Sequence, residues 1–597
     1  MDRIADAGVR HVFFVPGGAA MHLNDSLGRA SRLTHVSNLH EQASAIASEA
    51  YAKVTNNLGV TMVTAGPGGT NAVTGVAGAW LDSTPMLVLS GQVKRADLKR
   101  DRGVRQMGVQ EIDITGIVGP ITKYAVTVIE PERIRFHFEK ALHLARSGRP
   151  GPVWLDIPLD VQAAQIDPEQ LDGFEPEEDS FRADRDLAGQ VAATIAMLES
   201  AERPVFLAGN GIRLARAQTE FRTLIDRLGI PVLTTWLAID LLADAYPLFA
   251  GRPGAVAPRS ANFAVQTADA LLSIGARLDL VLTGYARKNF ARSAAKTVVD
   301  IDPAELAKCE MPGANLVCAD ARAFLAEMLR QWGDRGPLAR PDWTSRCREW
   351  KSRYPIVLSE HRQQESPVSV YGLADILSET LEEGDVIISG SSGSGIEIFL
   401  HAFRVKEGQR IIHTTALGAM GFALPASIGA CLAAGGRRTV VVDGDGGFQF
   451  NVQELETVAR LGLPIKFFVL NNGGYSSIRA SQRNYFGRAV AADAESGQTL
   501  PDLARLADAW RLPFRRITSQ IDLRSRIREI LREPGPLVCD LVILPDEDRL
   551  PRISSRPMPD GSMVSTPIED LFPYLDRAEL EANLAPSSET PSPRSKM

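Results

Sequence analysis

The most constraining feature of this sequence is one rhythm that recurs in three sections. Short apolar runs of strand length end in glycine-rich turns, and amphipathic helical stretches follow. A parallel strand covered by helices on both faces needs that kind of run, and the helical stretch after it is the crossover to the next strand. Expected strands are residues 11–15, 59–63, 86–89 and 153–156 in the first section and 205–208, 231–234, 270–274 and 297–301 in the second. The third section supplies 386–389, 439–443 and 465–470.

A chain of 597 residues is too long for one hydrophobic core. Two stretches rich in proline, glycine and charge, residues 168–186 and 333–341, read as linkers. The predicted architecture is therefore α/β, with three consecutive doubly wound parallel-sheet domains at residues 1–165, 187–335 and 365–545. A C-terminal extension, residues 546–597, lacks the alternation, and its Pro/Ser-rich end predicts disorder from about residue 585.

Composition narrows the function classes. The net charge of −7 speaks against nucleic acid as a partner, because backbone binding calls for a basic surplus. Five widely spaced cysteines without a CxxC pair offer neither a disulfide framework nor a structural zinc site. The N-terminal residues carry early charges and no signal-peptide pattern, and the apolar runs fall short of a membrane span. A cytoplasmic enzyme without membrane contact is the expectation.

The chemistry concentrates in residues 440–475, VVVDGDGGFQFNVQELETVARLGLPIKFFVLNNGGY. One buried strand runs into Gly444-Asp445-Gly446, a helix follows, and a second strand ends at Asn471-Asn472. Parallel sheets place ligands at the C-terminal ends of their strands. Asp-Gly and Asn-Gly each also serve as plain turn formers. The two together, at strand ends one helix apart, are far more specific. Asp445 offers a carboxylate oxygen, Asn472 an amide oxygen and Gly474 a backbone carbonyl, the hard oxygen set that Mg²⁺ takes together with phosphate oxygens. Gly446 and Gly447 allow backbone approach to a diphosphate at a helix start.

This segment resembles the GDG…NN motif of thiamine-diphosphate enzymes such as acetolactate synthase and pyruvate decarboxylase. Residues 14–27 (FVPGGAAMHLNDSL), 40–53 (HEQASAIASEAYAK), 64–93 (TAGPGGTNAVTGVAGAWLDSTPMLVLSGQV) and 414–430 (TTALGAMGFALPASIGA) extend the likeness over nearly the whole chain up to about residue 545. It is nearest to the catalytic subunit of acetolactate synthase, and nearer still to acetolactate-synthase-like proteins of polysaccharide clusters. The resemblance implies a pyrimidine-binding first domain, a Rossmann-like central domain and a diphosphate-binding third domain. It also implies decarboxylation of a 2-oxo acid such as pyruvate and ligation of the two-carbon unit to a second carbonyl compound.

By the same resemblance Glu41 is the carboxyl beside N1′ of the coenzyme's pyrimidine, and Gln110 faces the substrate. The Gly418 carbonyl accepts from the 4′-amino group, and Met420 is the wedge that bends the coenzyme. Residues 389–395 (SGSSGSG) offer backbone N–H groups to the diphosphate. The active site is implied to lie between subunits of a homodimer or homotetramer, with Glu41 and Asp445 from different chains.

Two departures bear on specificity. Ser481 stands where acetolactate synthases carry a tryptophan in the acceptor pocket, which enlarges that pocket. The family's RFDDRVTG reads RLDLVLTG at residues 277–284: Arg277 is kept as a candidate for the acceptor carboxylate, while loss of the second aspartate weighs against FAD. The central domain is thus read as binding FAD or nothing. A decarboxylase that releases aldehyde, and two-carbon transfer to a keto sugar, stand as alternative activities.

Overall fold

The computed structural model describes residues 1–176, 186–391, 393–557, 560–561 and 563–585. Part of the expected first linker, Ser392 of the serine-glycine loop, and the tail after residue 585 lie outside them.

The first sheet comprises β1 (His11–Phe14), β2 (Thr34–Ser37), β3 (Gly59–Val63), β4 (Met86–Gln92), β5 (Tyr124–Thr127) and β6 (Pro152–Pro158). The second comprises β7 (Pro204–Ala208), β8 (Val232–Thr234), β9 (Phe249–Gly251), β10 (Ala270–Ile274), β11 (Ala295–Asp300) and β12 (Asn315–Cys318). The third comprises β13 (Val386–Ser389), β14 (Arg410–Ile412), β15 (Thr439–Gly444), β16 (Ile465–Asn471), β17 (Phe514–Ile517) and β18 (Leu537–Val542). Every neighbouring pair within these sheets is parallel.

The strand orders carry information that the periodicity did not. The first sheet runs β2-β1-β3-β4-β6-β5 and the third β14-β13-β15-β16-β18-β17, the same topology twice. The second runs β12-β11-β10-β7-β8-β9, the order of a dinucleotide-binding sheet, with its switch point between β7 and β10.

The first and third domains share a core. The helix Glu41–Thr55 is buried from Ala43 to Ala52, and its alanines and serines let another backbone come close. The third domain's helix Ala423–Ala433 lies against it, and Phe13, Ile46 and Tyr51 join Phe422, Leu424 and Ile428 in one apolar cluster. At Gly429 the approach is so close that a Cβ would stand 1.8 Å from the Ala47 carbonyl oxygen.

The C-terminal end of the same helix is held by buried charge. Lys53 Nζ lies 2.6 Å from Glu49 and 2.7 Å from Asp82, and donates to the His413 carbonyl. Asp240 of the central domain sits between Arg213, at 2.7 Å, and Arg410 of the third domain. Arg410 also donates to the Lys53 carbonyl, so all three domains meet in one ionic junction.

The extension returns across the central domain. Asn262 Nδ2 donates to the Ile568 carbonyl, Gln266 to Glu569, and Trp350 Nε1 to Asn583. Its last described element is the helix Arg577–Leu584. Among the described residues no helix is long and apolar enough to cross a membrane.

Candidate active site

The two motif strands are neighbours, as their pattern required. β15 pairs with β16, so Asp445 and Asn472 emerge side by side at the same sheet end. Asp445 opens a short helix and is buried. Its Oδ1 accepts from the Gly446 N–H at 2.8 Å, and its Oδ2 accepts from the N–H groups of Asn472, Gly473 and Gly474 at 3.2, 2.9 and 3.2 Å. One carboxylate therefore ties the two strand ends into a fixed cradle. Burial pushes its pKa up to about 6 although the four N–H groups favour the anion.

Asn472 completes the arrangement in an unusual way. Its Oδ1 is buried and has no hydrogen-bond partner among the described residues. A buried acceptor without a partner is costly, and native structures keep one where something else comes to satisfy it. Gly474 has φ +140°, a region that L side chains rarely adopt, and a Cβ there would meet the Ala492 carbonyl oxygen at 2.3 Å. Gly447 packs against the carboxylate of Asp443, a buried acid with pKa raised by burial to about 7 that sequence reasoning had passed over as strand. Among the described residues no group of three or more His, Cys, Asp or Glu forms a metal cage. The donors here are one carboxylate, one amide oxygen and backbone, a set that suits Mg²⁺ only when phosphate oxygens join it.

Three other predicted residues of the third domain are Gly418, Met420 and Ser481. Gly418 adopts φ +65° and faces the Ser391 carbonyl, and Met420 is half-buried in the turn that follows. Ser481 is on the helix Ser476–Phe486, where its hydroxyl donates to the Ile478 carbonyl.

Glu41 stands at the first position of its helix, where a carboxylate suits the dipole. Its Oε2 accepts from Asn71 Nδ2 at 3.0 Å, a partner that sequence reasoning missed. The preceding residues are fixed to the third domain, since the Glu454 carboxylate accepts from Asn38 Nδ2, Leu39 N and His40 N. Gln110 is exposed with φ +64°, beside Gly66. Among the described residues no hydrogen bond or ion pair joins Glu41 or Gln110 to Asp445 or Asn472. Large apolar side chains are exposed beside both halves: Leu39, Met107 and Val109 near the first, Phe450, Ile478 and Phe486 near the second.

A cavity of about 1250 Å³ opens where the three domains meet. It follows the C-terminal ends of the central strands past Gly211, Gly275 and Asp300 and reaches Ser391, Glu397 and Thr415 of the third domain. Arg277 lines it, with Nη1 donating to the Leu81 carbonyl at 2.8 Å and Nη2 3.8 Å from Asp279. Glu397 was not predicted; the signal was there, a lone carboxylate between isoleucines in GIEIF.

Family models match segments of all three domains. Residues 1–117 match the family described as "Thiamine pyrophosphate enzyme, N-terminal TPP binding domain", residues 191–328 its central domain and residues 393–541 its C-terminal TPP binding domain. The chain is 32% identical to the acetolactate synthase large subunit of Cyanidium caldarium over 93% of its own length and 94% of that protein. It is 33% identical to acetolactate synthase of Arthrospira platensis, covering 93% and 95%. A probable acetolactate synthase large subunit of Methanocaldococcus jannaschii is 32% identical, with 90% of each chain covered.

Proposed function

The chain belongs to the thiamine pyrophosphate enzyme family and is a thiamine-diphosphate-dependent enzyme of the acetolactate synthase type, and on that premise we propose that it decarboxylates a 2-oxo acid and ligates the remaining two-carbon unit to a second carbonyl compound. The observation that carries the reading is the cradle of Asp445 and Asn472, with a buried amide oxygen that lacks a partner among the described residues. These residues fit a magnesium-bridged diphosphate: Asp445, Asn472 Oδ1 and the Gly474 carbonyl would hold the ion, and Gly446 and Gly447 would face the phosphates.

When bound, the coenzyme supplies a nucleophilic thiazolium carbon and an electron sink for the departing CO₂. The chain's own residues position, exclude and move protons. Glu41 would exchange a proton with the pyrimidine N1′, held in place by Asn71. Gly418 would accept from the amino group on that ring, and Met420 would press the two rings together, a task an unbranched thioether suits. Gln110 would orient the substrate, and Arg277 would meet it from the central domain. Closure around the two reactants excludes water, so ligation outruns release of a free aldehyde.

The site is completed by a second copy of the chain. Glu41 and Asp445 are anchored in different domains with no hydrogen bond or ion pair between them among the described residues, and each is flanked by exposed apolar side chains that a partner would cover. The central cavity has the volume for a dinucleotide such as FAD, while Leu280 in its wall offers no polar partner. A flavin spectrum in the purified protein reads out whether it is filled.

Subunit mixing tests the whole arrangement. Glu41→Gln and Asp445→Ala are each expected to be inactive in CO₂ release from pyruvate with coenzyme and Mg²⁺. A mixture allowed to exchange subunits should regain about a quarter of wild-type activity, since half the dimers would be mixed and carry one intact site of two. No recovery after verified exchange refutes the shared site.

A further inference from the structure

Beside the coenzyme cradle the third domain carries a polar cluster that the mechanism above does not use. Glu397 lies in a π-helical turn, Ser394–Ile398, directly after the serine-glycine loop. Such turns are rare and concentrate at functional sites. Ile396 and Ile398 are buried, and Glu397 lines the cavity together with Ile396. Arg549 Nη1 donates to Glu397 Oε2 at 2.5 Å, and Arg549 Nη2 donates to Ser477 Oγ at 2.8 Å.

The arginine is held in place from both sides. Glu547 accepts from Ser369 Oγ and the Val370 N–H, at 2.5 and 2.7 Å. The hydroxyl of buried Tyr371 bonds both the carbonyl and the N–H of Leu550. Arg479, itself buried, donates to Asp546 and to the Pro545 carbonyl. The stretch from Pro545 to Leu550 is thus pinned to the domain around one guanidinium, with Tyr371 also donating to the Asp548 carbonyl.

The cluster is also close to the chemistry. Ser477 is three residues beyond Gly474, and its hydroxyl lies 3.0 Å from where a Cβ on Gly393 would stand. Ser391, which shares the cavity wall with Glu397, faces Gly418.

We propose that Glu397, Arg549 and Ser477 recognise the acceptor, and that the acceptor is an aldehyde or ketone bearing hydroxyl groups rather than a second 2-oxo acid. This rests on the carboligase reading given above. An Arg–Glu pair is neutral as a unit and gives a carboxylate ligand no net attraction, while the Glu397 oxygens repel it. A hydroxyl group, by contrast, donates to the carboxylate and accepts from the guanidinium, so it satisfies both members at once. The short side chains Ser476, Ser477 and Ser481 leave room for such a substrate and add further hydroxyls. The reaction balances without a redox partner: pyruvic acid and an aldehyde RCHO give CO₂ and the hydroxyketone CH₃COCH(OH)R. One carbon–carbon bond breaks, one forms, and the carboxyl proton ends on the new hydroxyl.

The test uses the full-length enzyme loaded with coenzyme and Mg²⁺, pyruvate as donor, and three acceptors: glyceraldehyde, propanal and 2-oxobutyrate. Wild type should prefer glyceraldehyde over both others in kcat/KM for ligation. Glu397→Gln should cut the glyceraldehyde-to-propanal ratio by about ten- to a hundred-fold, the range for losing a hydrogen bond to a charged group. Ser477→Ala, a milder change that leaves the ion pair in place, should lower the same ratio to a smaller extent. Preference for 2-oxobutyrate in the wild type, or an unchanged ratio in both variants, overturns the proposal while leaving the carboligase reading intact. Absence of CO₂ release from any 2-oxo acid would overturn that reading and this inference with it.

Discussion

Replacing Asn472 with alanine should separate the stability of the empty protein from its affinity for the coenzyme, with little or no loss in the first and a large loss in the second. The Asn472 Oδ1 is buried without a partner among the described residues. An unsatisfied buried acceptor costs about 1–3 kcal/mol, and truncation removes that cost along with the packing of a small side chain. The two contributions nearly cancel, so the empty variant should lie within about 1 kcal/mol of wild type. With Mg²⁺ and thiamine diphosphate the balance changes. Losing an oxygen that faces a cation should raise the coenzyme's Kd by about ten- to a hundred-fold. At a ligand concentration of about 100 times the wild-type Kd, wild type gains about 2.7 kcal/mol from binding, and the variant only about 0.4–1.4 kcal/mol. Calorimetric titration gives the Kd, and thermal unfolding midpoints with and without ligand give the stability. A strongly destabilised empty variant would show that Asn472 is structural. An undiminished ligand-induced gain would show that it is not a ligand.

Three further outcomes follow from the geometry. Gly429→Ala drives a Cβ to 1.8 Å from the Ala47 carbonyl oxygen, so the two central helices must part; a loss of about 1–3 kcal/mol or more is expected in denaturant unfolding, and a neutral result would contradict the close approach. Lys53→Met strands Glu49 and Asp82 without their shared cation and should cost about 3–5 kcal/mol, and Lys53→Met with Glu49→Gln should recover part of it. Asp156 is buried and hydrogen-bonded by Ser90, Gln92 and Thr127, and burial pushes its pKa up to about 6. The folded protein then holds a proton that the unfolded chain gives up near the ordinary aspartate value of 3.8, so this group's contribution is full below that value and is lost as pH rises towards 6. Asp156→Asn should flatten the pH dependence of unfolding across that window, and an unaltered slope would assign it to other groups.

What could be read from the sequence, and what could not, follows from burial. Expected strands such as β10 and β16 are buried on both faces, and a continuous apolar run announces them. Edge strands β2, β5, β12 and β17 went unread because they are only partly buried and their sequences THVS, YAVT, NLVC and FRRI carry too little apolar signal. Interior strand β18 was hidden by Asp540, a buried acid paired with Arg516 and Asn471. Boundaries shifted by a residue or two, as when β11 proved to run from Ala295 to Asp300, since strand ends are set by hydrogen bonding rather than by hydrophobicity.

The sequence by itself determined the three α/β units and the pairing of Asp445 with Asn472, because a strand period and two polar residues at adjacent strand ends are local properties of the chain. Only the tertiary structure decided that the first and third sheets share one strand order, that Lys53 and Asp240 join three domains through buried charge, and that Arg549 meets Glu397. Those facts depend on contacts between distant residues, 152 positions apart for Glu397 and Arg549 and 357 for Lys53 and Arg410, and no local pattern encodes which distant partner a side chain will find.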